Sequence, residues 1–142
     1  MKWQKIPVHD IGVVYNRAVQ FHGHSGPYLA LGVAIGLAGL RHLGSTGYSG
    51  IEVECYCGSE PPVSCFLDGI QVATGSTIGK GNLIVKDSGN LKAVFKTDES
   101  EIRLKVNVRY ETLARNCDDF EMGVKLADEI LSAPIDEIID IL

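Results

Sequence analysis

The sequence predicts an α+β fold: a mixed sheet of about four strands packed with helices. Three observations lead there. Apolar residues recur at helical spacing early in the chain, alternate with polar residues in the middle, and return to helical spacing after Cys117. The strands cluster late, around turn signals, instead of alternating one by one with helices, which favours α+β over a doubly wound parallel sheet. At 142 residues, 45% hydrophobic and 22% charged, the chain is long and apolar enough for one core, and residues 1–142 are read as a single domain.

The elements follow in order. Ile11, Val14, Tyr15, Ala18 and Val19 share a helical face, with Asp10 placed as N-cap. Phe21 to Pro27 breaks that helix with two glycines and a proline. Tyr28 to Leu43 reads as a long apolar helix closed by Gly44 in the left-handed conformation, and Gly32 and Gly36 on it would admit a second backbone at close range. Ile51 to Tyr56 alternates as a strand, and a helix is expected from about Val63 to Thr74. Asn82–Asp87 and Leu91–Lys96 are short strands around the turn Asp87-Ser88-Gly89-Asn90. Ile102, Leu104, Val106 and Val108 alternate with charged and polar residues from Glu101 to Arg109, predicting one strand over that whole run. Phe120, Val124, Ala127 and Leu131 define a helix face, and beyond Pro134 a last short helix is expected from Ile135, Ile138, Ile139 and Leu142.

Charge narrows the partners. The net charge is −5, which argues against nucleic acid, since that needs a basic face. Eight carboxylates against one lysine fall between Asp118 and Leu142, a solvated acidic face. Ser25 to Leu40 carries no charge, but sixteen residues including Pro27 and four glycines fall short of the ~20 of a membrane span, so a buried helix is expected and no membrane partner. Four cysteines are too few for a disulfide scaffold, and the first residues lack the apolar run of a signal peptide, so a cytoplasmic location with reduced thiols is the expectation.

The sharpest chemical feature is His22-Gly23-His24, two imidazoles on a chain break just before a buried helix, able to converge on one point. A pair of loop histidines bonded to backbone carbonyls is the bland alternative. Cys65, in the first turn of the helix after Pro61-Pro62, is a third candidate: two histidines and a thiolate are three ligands with one position open, the pattern of an open zinc site. The helix dipole at that position is expected to lower the thiol's pKa. Against this stands the ordinary fate of a free cysteine, a small buried hydrophobe. Cys55 is expected in the core, and Cys55 and Cys57 point the same way on a strand. Asp68, three residues after Cys65 on the same helix face, is the candidate general base, or else the anchor of a ligand histidine. Gly75-Ser76-Thr77-Ile78-Gly79-Lys80-Gly81 fails the phosphate-loop pattern in spacing and in the order of flanking elements. A glycine-rich turn whose lysine contacts a substrate is what remains of it.

Taken together, these residues resemble a known family. Phe21-His22-Gly23-His24-Ser25-Gly26-Pro27-Tyr28-Leu29-Ala30-Leu31-Gly32 is similar to the F-H-G-H-x-C-P-x-L-A-L-G signature of the formylmethanofuran dehydrogenase E family. Cys65 to Gln71 and Thr74 to Leu83 resemble its second block, C-x-x-D-A-I-Q followed by T-G-C-T-x-G-K-G-N-L. Serine stands at Ser25 and Ser76 where the family often has cysteine, and the four-cysteine zinc ribbon that many members append is not expected. The resemblance implies an α+β domain similar in architecture to the catalytic domain of glyceraldehyde-phosphate dehydrogenase. It implies a metal, zinc foremost, at His22, His24 and Cys65, with Asp68, Thr77 and Lys80 as neighbours. No pterin or iron–sulfur motif is visible, and the methanogen reaction itself belongs to other members of that complex.

Two functions compete: an accessory metal-binding domain of one-carbon or molybdenum-enzyme metabolism, and a self-sufficient hydrolase or lyase using metal-bound water with Asp68 as catalytic base. Thr77 and Lys80 are the expected substrate contacts. A small molecule at the metal and a second copy of the chain are the expected partners, because the uncharged helix and the apolar C-terminal stripe offer more apolar face than one core can cover.

Overall fold

A computed structural model describes residues 2–142. Helix α1 (Ile11–His22) starts at Asp10, whose carboxylate accepts from the Val13 N–H at 3.2 Å, and stops at Gly23, whose φ of 106° turns the chain out of the helix. Helix α2 (Pro27–Leu43) has proline in its first turn and Gly44 at its end with φ 64°. It is apolar all round, and every residue from Tyr28 to Leu40 is buried. Strand β1 (Glu52–Cys55), helix α3 (Cys65–Thr74), and strands β2 (Leu83–Val85), β3 (Lys92–Lys96) and β4 (Glu101–Val106) follow, then α4 (Val108–Arg115), α5 (Phe120–Ser132), the single turn α6 (Ile135–Ile138) and β5 (Ile139–Ile141).

The sheet has five strands in the order β2-β1-β3-β4-β5, with β1 parallel to β2 and the other neighbours antiparallel. Two layers result. The inner face, Val53, Cys55, Ala93, Phe95, Leu104 and Val106, packs with the helices around α2 in one continuous core. The outer face carries the alternating polar set, where Lys96 meets Glu54 at 2.9 Å and Arg103 meets Glu101 at 3.1 Å. Such exposed pairs add little stability.

The contact that sets the site is α2 against α3. A side chain at Gly32 would run into the carbonyl of Phe66, and one at Gly69 into the carbonyl of Leu29, so the two helices touch backbone to backbone. The close approach expected of Gly32 thus falls within the chain, and α2 is covered by α1, α3, α5 and the sheet.

Four details differ from the sequence reading. The strand predicted to Arg109 ends at Val106, because Asn107 caps a helix there, accepting from the Arg109 N–H at 3.0 Å while Tyr110 and Ala114 turn inward. The last predicted helix makes one turn and then pairs with β4, where the unpaired edge of a sheet outweighs a helical apolar spacing. That supplies the fifth strand. The strands β2 and β3 do not form a hairpin, because β1 inserts between them. Helix α5 buries Gly123, Leu126, Ala127 and Ile130, leaving Phe120 outside.

Candidate metal centre

Three elements deliver the site. His22 is the last residue of α1, His24 lies in the break before α2, and Cys65 opens α3. The break is pinned from below by Tyr15, a buried residue of α1: its hydroxyl stands 2.7 Å from the Ser25 hydroxyl and accepts from the Gly26 N–H at 3.0 Å. Sequence reasoning counted Tyr15 only as an apolar-face residue; its place on the helix that runs into the loop was the available signal.

The structure brings His22, His24 and Cys65 together, with one ring nitrogen of each histidine and the Cys65 sulfur all within 4.8 Å of one another. Each imidazole is oriented by its other nitrogen. His22 Nδ1 lies 2.5 Å from Asp68 Oδ2, and His24 Nδ1 lies 3.0 Å from the Ser25 carbonyl. A carbonyl only accepts, so His24 carries its proton on Nδ1, and the carboxylate favours the same tautomer for His22. Both Nε2 atoms then present lone pairs, and they face each other at 3.0 Å. Two lone pairs repel at that distance unless a proton or a metal cation stands between them. Two imidazole nitrogens on one tetrahedral zinc stand about 3.3 Å apart, from Zn–N bonds of ~2.0–2.1 Å. The donor set therefore fits a divalent transition metal.

Asp68 sits one helical turn after Cys65, so α3 supplies both a donor and the group that holds a histidine. Burial, and after it the Asp68 carboxylate, push the Cys65 thiol above its ordinary pKa, while its own main-chain N–H pulls the other way and loses. The lowering expected from the helix dipole is overturned: three preceding turn carbonyls already accept the N–H groups of Cys65, Phe66 and Leu67. The cluster opens on a cavity of about 390 Å3 whose other walls include Ser59, Pro61 and Ser64.

Thr77 and Lys80 are not brought to this cluster. The Thr77 hydroxyl accepts from the Lys80 N–H at 3.1 Å, and the Lys80 ammonium donates to the carbonyls of Tyr48 at 2.6 Å and Gly75 at 2.5 Å, lining another cavity. Cys55 and Cys57 are both buried, with their sulfurs 3.3 Å apart, outside the donor set. The contact between them and burial raise the Cys55 thiol, and the same contact lowers Cys57. Cys117, half-buried, adds no donor.

The fold and the cluster define an α+β domain with a three-donor, metal-type site. The chain matches the model of the FmdE family, described by the molybdenum formylmethanofuran dehydrogenase operon, over residues 21–142, and it belongs to that family. It is also 38% identical over 101 residues to a probable S-adenosyl-L-methionine-binding protein of Archaeoglobus fulgidus, an alignment covering 64% of this chain and 26% of that protein. No helix among the described residues is long and apolar enough to cross a membrane.

Proposed function

We propose that the protein is a zinc-binding domain that serves one-carbon metabolism in an accessory role, with His22, His24 and Cys65 as the metal ligands. The opposed Nε2 atoms carry this reading, since the hydrogen bonds of both rings leave their lone pairs aimed at one point. Asp68 holds His22 in the tautomer and orientation that ligation needs. Zinc bound there would supply Lewis-acid polarisation of a small ligand entering from the adjoining cavity. The family match supports the metabolic setting. Purified protein should contain about one divalent ion per chain by elemental analysis, lost in Cys65→Ser and His24→Ala. Stoichiometric metal unchanged in both variants would defeat the ligand assignment.

A second reading, a self-sufficient hydrolase or lyase, draws on the same cavity, which gives a substrate access to the metal. In it Asp68 is the catalytic base. Metabolite screening of the metal-loaded protein separates the two, because only the enzyme turns over a substrate and loses its pH optimum in Asp68→Asn.

Lys80, with Thr77 fixing its loop, is proposed to bind a small ligand in the separate cavity. A cytoplasmic location and a homodimer complete the proposal. With α2 covered inside one chain, the dimer would rest on the exposed apolar residues of α5, Phe120 at 71% and Met122 at 53% exposure. Light scattering at micromolar concentration should give twice the chain mass of 15.3 kDa.

A further inference from the structure

At the far end of α3 a cavity of about 560 Å3 opens between the N-terminal arm, the Tyr48–Ile51 segment, the glycine-rich loop and the turn after β3. Its size is within the ~300–1,000 Å3 of small-molecule sites. It shares no lining residue with the histidine–cysteine cavity. Trp3, the only tryptophan of the chain, stands in its wall 46% exposed.

Tyr48 forms another wall, and its backbone is unusual. It is the only non-glycine residue with positive φ among the described residues, at 68°. Three bonds hold it there: its N–H donates to the Thr74 carbonyl at 2.8 Å, and its carbonyl accepts from Lys80 Nζ at 2.6 Å and Asn82 Nδ2 at 3.3 Å. A backbone strained this way persists only where its surroundings over-determine it. Here those surroundings fix an aromatic face on a cavity wall.

Lys80 Nζ lies 5.2 Å from the Trp3 ring centre and 5.5 Å from that of Tyr48. Two of its three N–H groups go to carbonyls, so one is left for a ligand. It has no carboxylate partner among the described residues. In the same lining, Glu52 and Asp98 make no side-chain hydrogen bond or ion pair with any described residue; Glu52 stands opposite Lys96 in the β1–β3 register, and Lys96 is engaged by Glu54 at 2.9 Å.

This charge pattern selects among ligands. A quaternary ammonium, the usual guest of aromatic walls, is repelled by the ammonium already resting on both rings. A polyphosphate gains little, because Glu52 and Asp98 offset the two lysines of the lining. A flat ring without net charge, carrying amino donors for the carboxylates and an acceptor for Lys80, satisfies all of them. We propose that the cavity binds an aminopurine nucleoside, its ring against the exposed part of Trp3 that Lys80 leaves open, its amine donating to Glu52 or Asp98, and one acceptor atom taking the remaining N–H of Lys80. This rests on the reading of Lys80 as a ligand-binding residue and adds the class of ligand.

The position of Trp3 supplies the readout, since its emission is the only tryptophan fluorescence the protein has. Adenosine should quench it saturably, and calorimetry should give the same Kd. ATP should bind about tenfold more weakly or worse, and choline should leave the emission unchanged. The double variant Glu52→Gln, Asp98→Asn, two side chains at the surface and free of bonds, should weaken adenosine by about tenfold and narrow its advantage over ATP. Chelation of metal should leave adenosine binding intact, so failure of the zinc assignment and failure of this one are distinguishable. Absence of both quench and heat at millimolar adenosine overturns the proposal, as does ATP binding as tightly as adenosine, or a double variant that binds like the parent.

Discussion

At its N-terminus, α3 presents Cys65 and Asp68 to two histidines; at its C-terminus, ten residues and about 15 Å along, Gly75 passes the chain to a loop whose Lys80 lies against two aromatic rings. The first end gathers side chains from three elements into one cluster of donors, each ring fixed by a second hydrogen bond. The second end commits its lysine and asparagine to backbone carbonyls and leaves Glu52 and Asp98 of the cavity lining without a side-chain hydrogen bond. The second block of sequence is therefore divided by α3: its Cys65–Asp68 end joins the histidines of the first block, and its Lys80 end lines a separate cavity. A motif records which residues the fold keeps, and a single helix can keep residues for two different purposes.

The largest expected effect comes from the joint itself. Gly69→Ala forces a methyl group into the Leu29 carbonyl, so α3 must shift away from α2. A loss of about 3 kcal/mol is expected, lowering Tm by roughly 10 °C in a thermal melt, with zinc and adenosine affinities falling together. A fall at one site alone would show that the ends of α3 are not held as one body.

Next comes a change confined to one end. Asp68→Asn removes the charge that orients His22 and should lower zinc affinity by about 10–100-fold in chelator competition, leaving adenosine binding untouched. Parent-like zinc affinity would sever Asp68 from the cluster.

The third test uses the raised Cys65 thiol. A raised pKa means fewer thiolates at any given pH, so after chelation Cys65 should alkylate more slowly at pH 7 than an ordinary thiol, with its rate midpoint above the usual ~8.5. Removing the nearby charge in Asp68→Asn should bring that midpoint down. Peptide mapping reads the site, and a midpoint at or below the ordinary value in the parent would contradict the role given to burial.

The smallest effect lies beside the second end. The Ser76 hydroxyl is buried, and it is the one such side-chain atom without a hydrogen-bond partner among the described residues. Ser76→Ala should therefore stabilise by about 1 kcal/mol, read as a Tm higher by a few degrees with both affinities unchanged. A lower Tm would mean that the hydroxyl finds a partner in solution.

Much of this was legible in the sequence. Periodicity and caps located α1 and α2 because Asp10, Gly23 and Gly44 act through neighbouring backbone groups, and local chemistry of that kind is written in local sequence. That His22, His24 and Cys65 stand close together was legible as one of two readings, since the histidines flank a chain break and Cys65 starts a helix, while a carbonyl-bonded histidine pair and a buried thiol were the other. The insertion of β1 between β2 and β3 and the turning of residues 139–141 into a strand were not, because both are decided by distant partners competing for sheet edges. The separation of Lys80 from the cluster was missed although the helix from about Val63 to Thr74 was expected: ten helical residues rise about 15 Å, which sets Lys80 at the opposite end of α3 from Cys65.

The burial of α2 has a consequence for biosynthesis. This helix is completed at Leu43, yet the residues that cover it come from α3, the sheet and α5, whose last core residue is Ile130. At ~5–20 residues per second, the ribosome needs on the order of 5–20 s to add the roughly ninety residues between them. Over an interval of that length the uncharged stretch from Tyr28 to Leu40 has only α1 as cover, the kind of surface that holding chaperones bind. Yield of the protein in cells should accordingly depend more on chaperone supply and growth temperature during synthesis than on the stability of the finished fold.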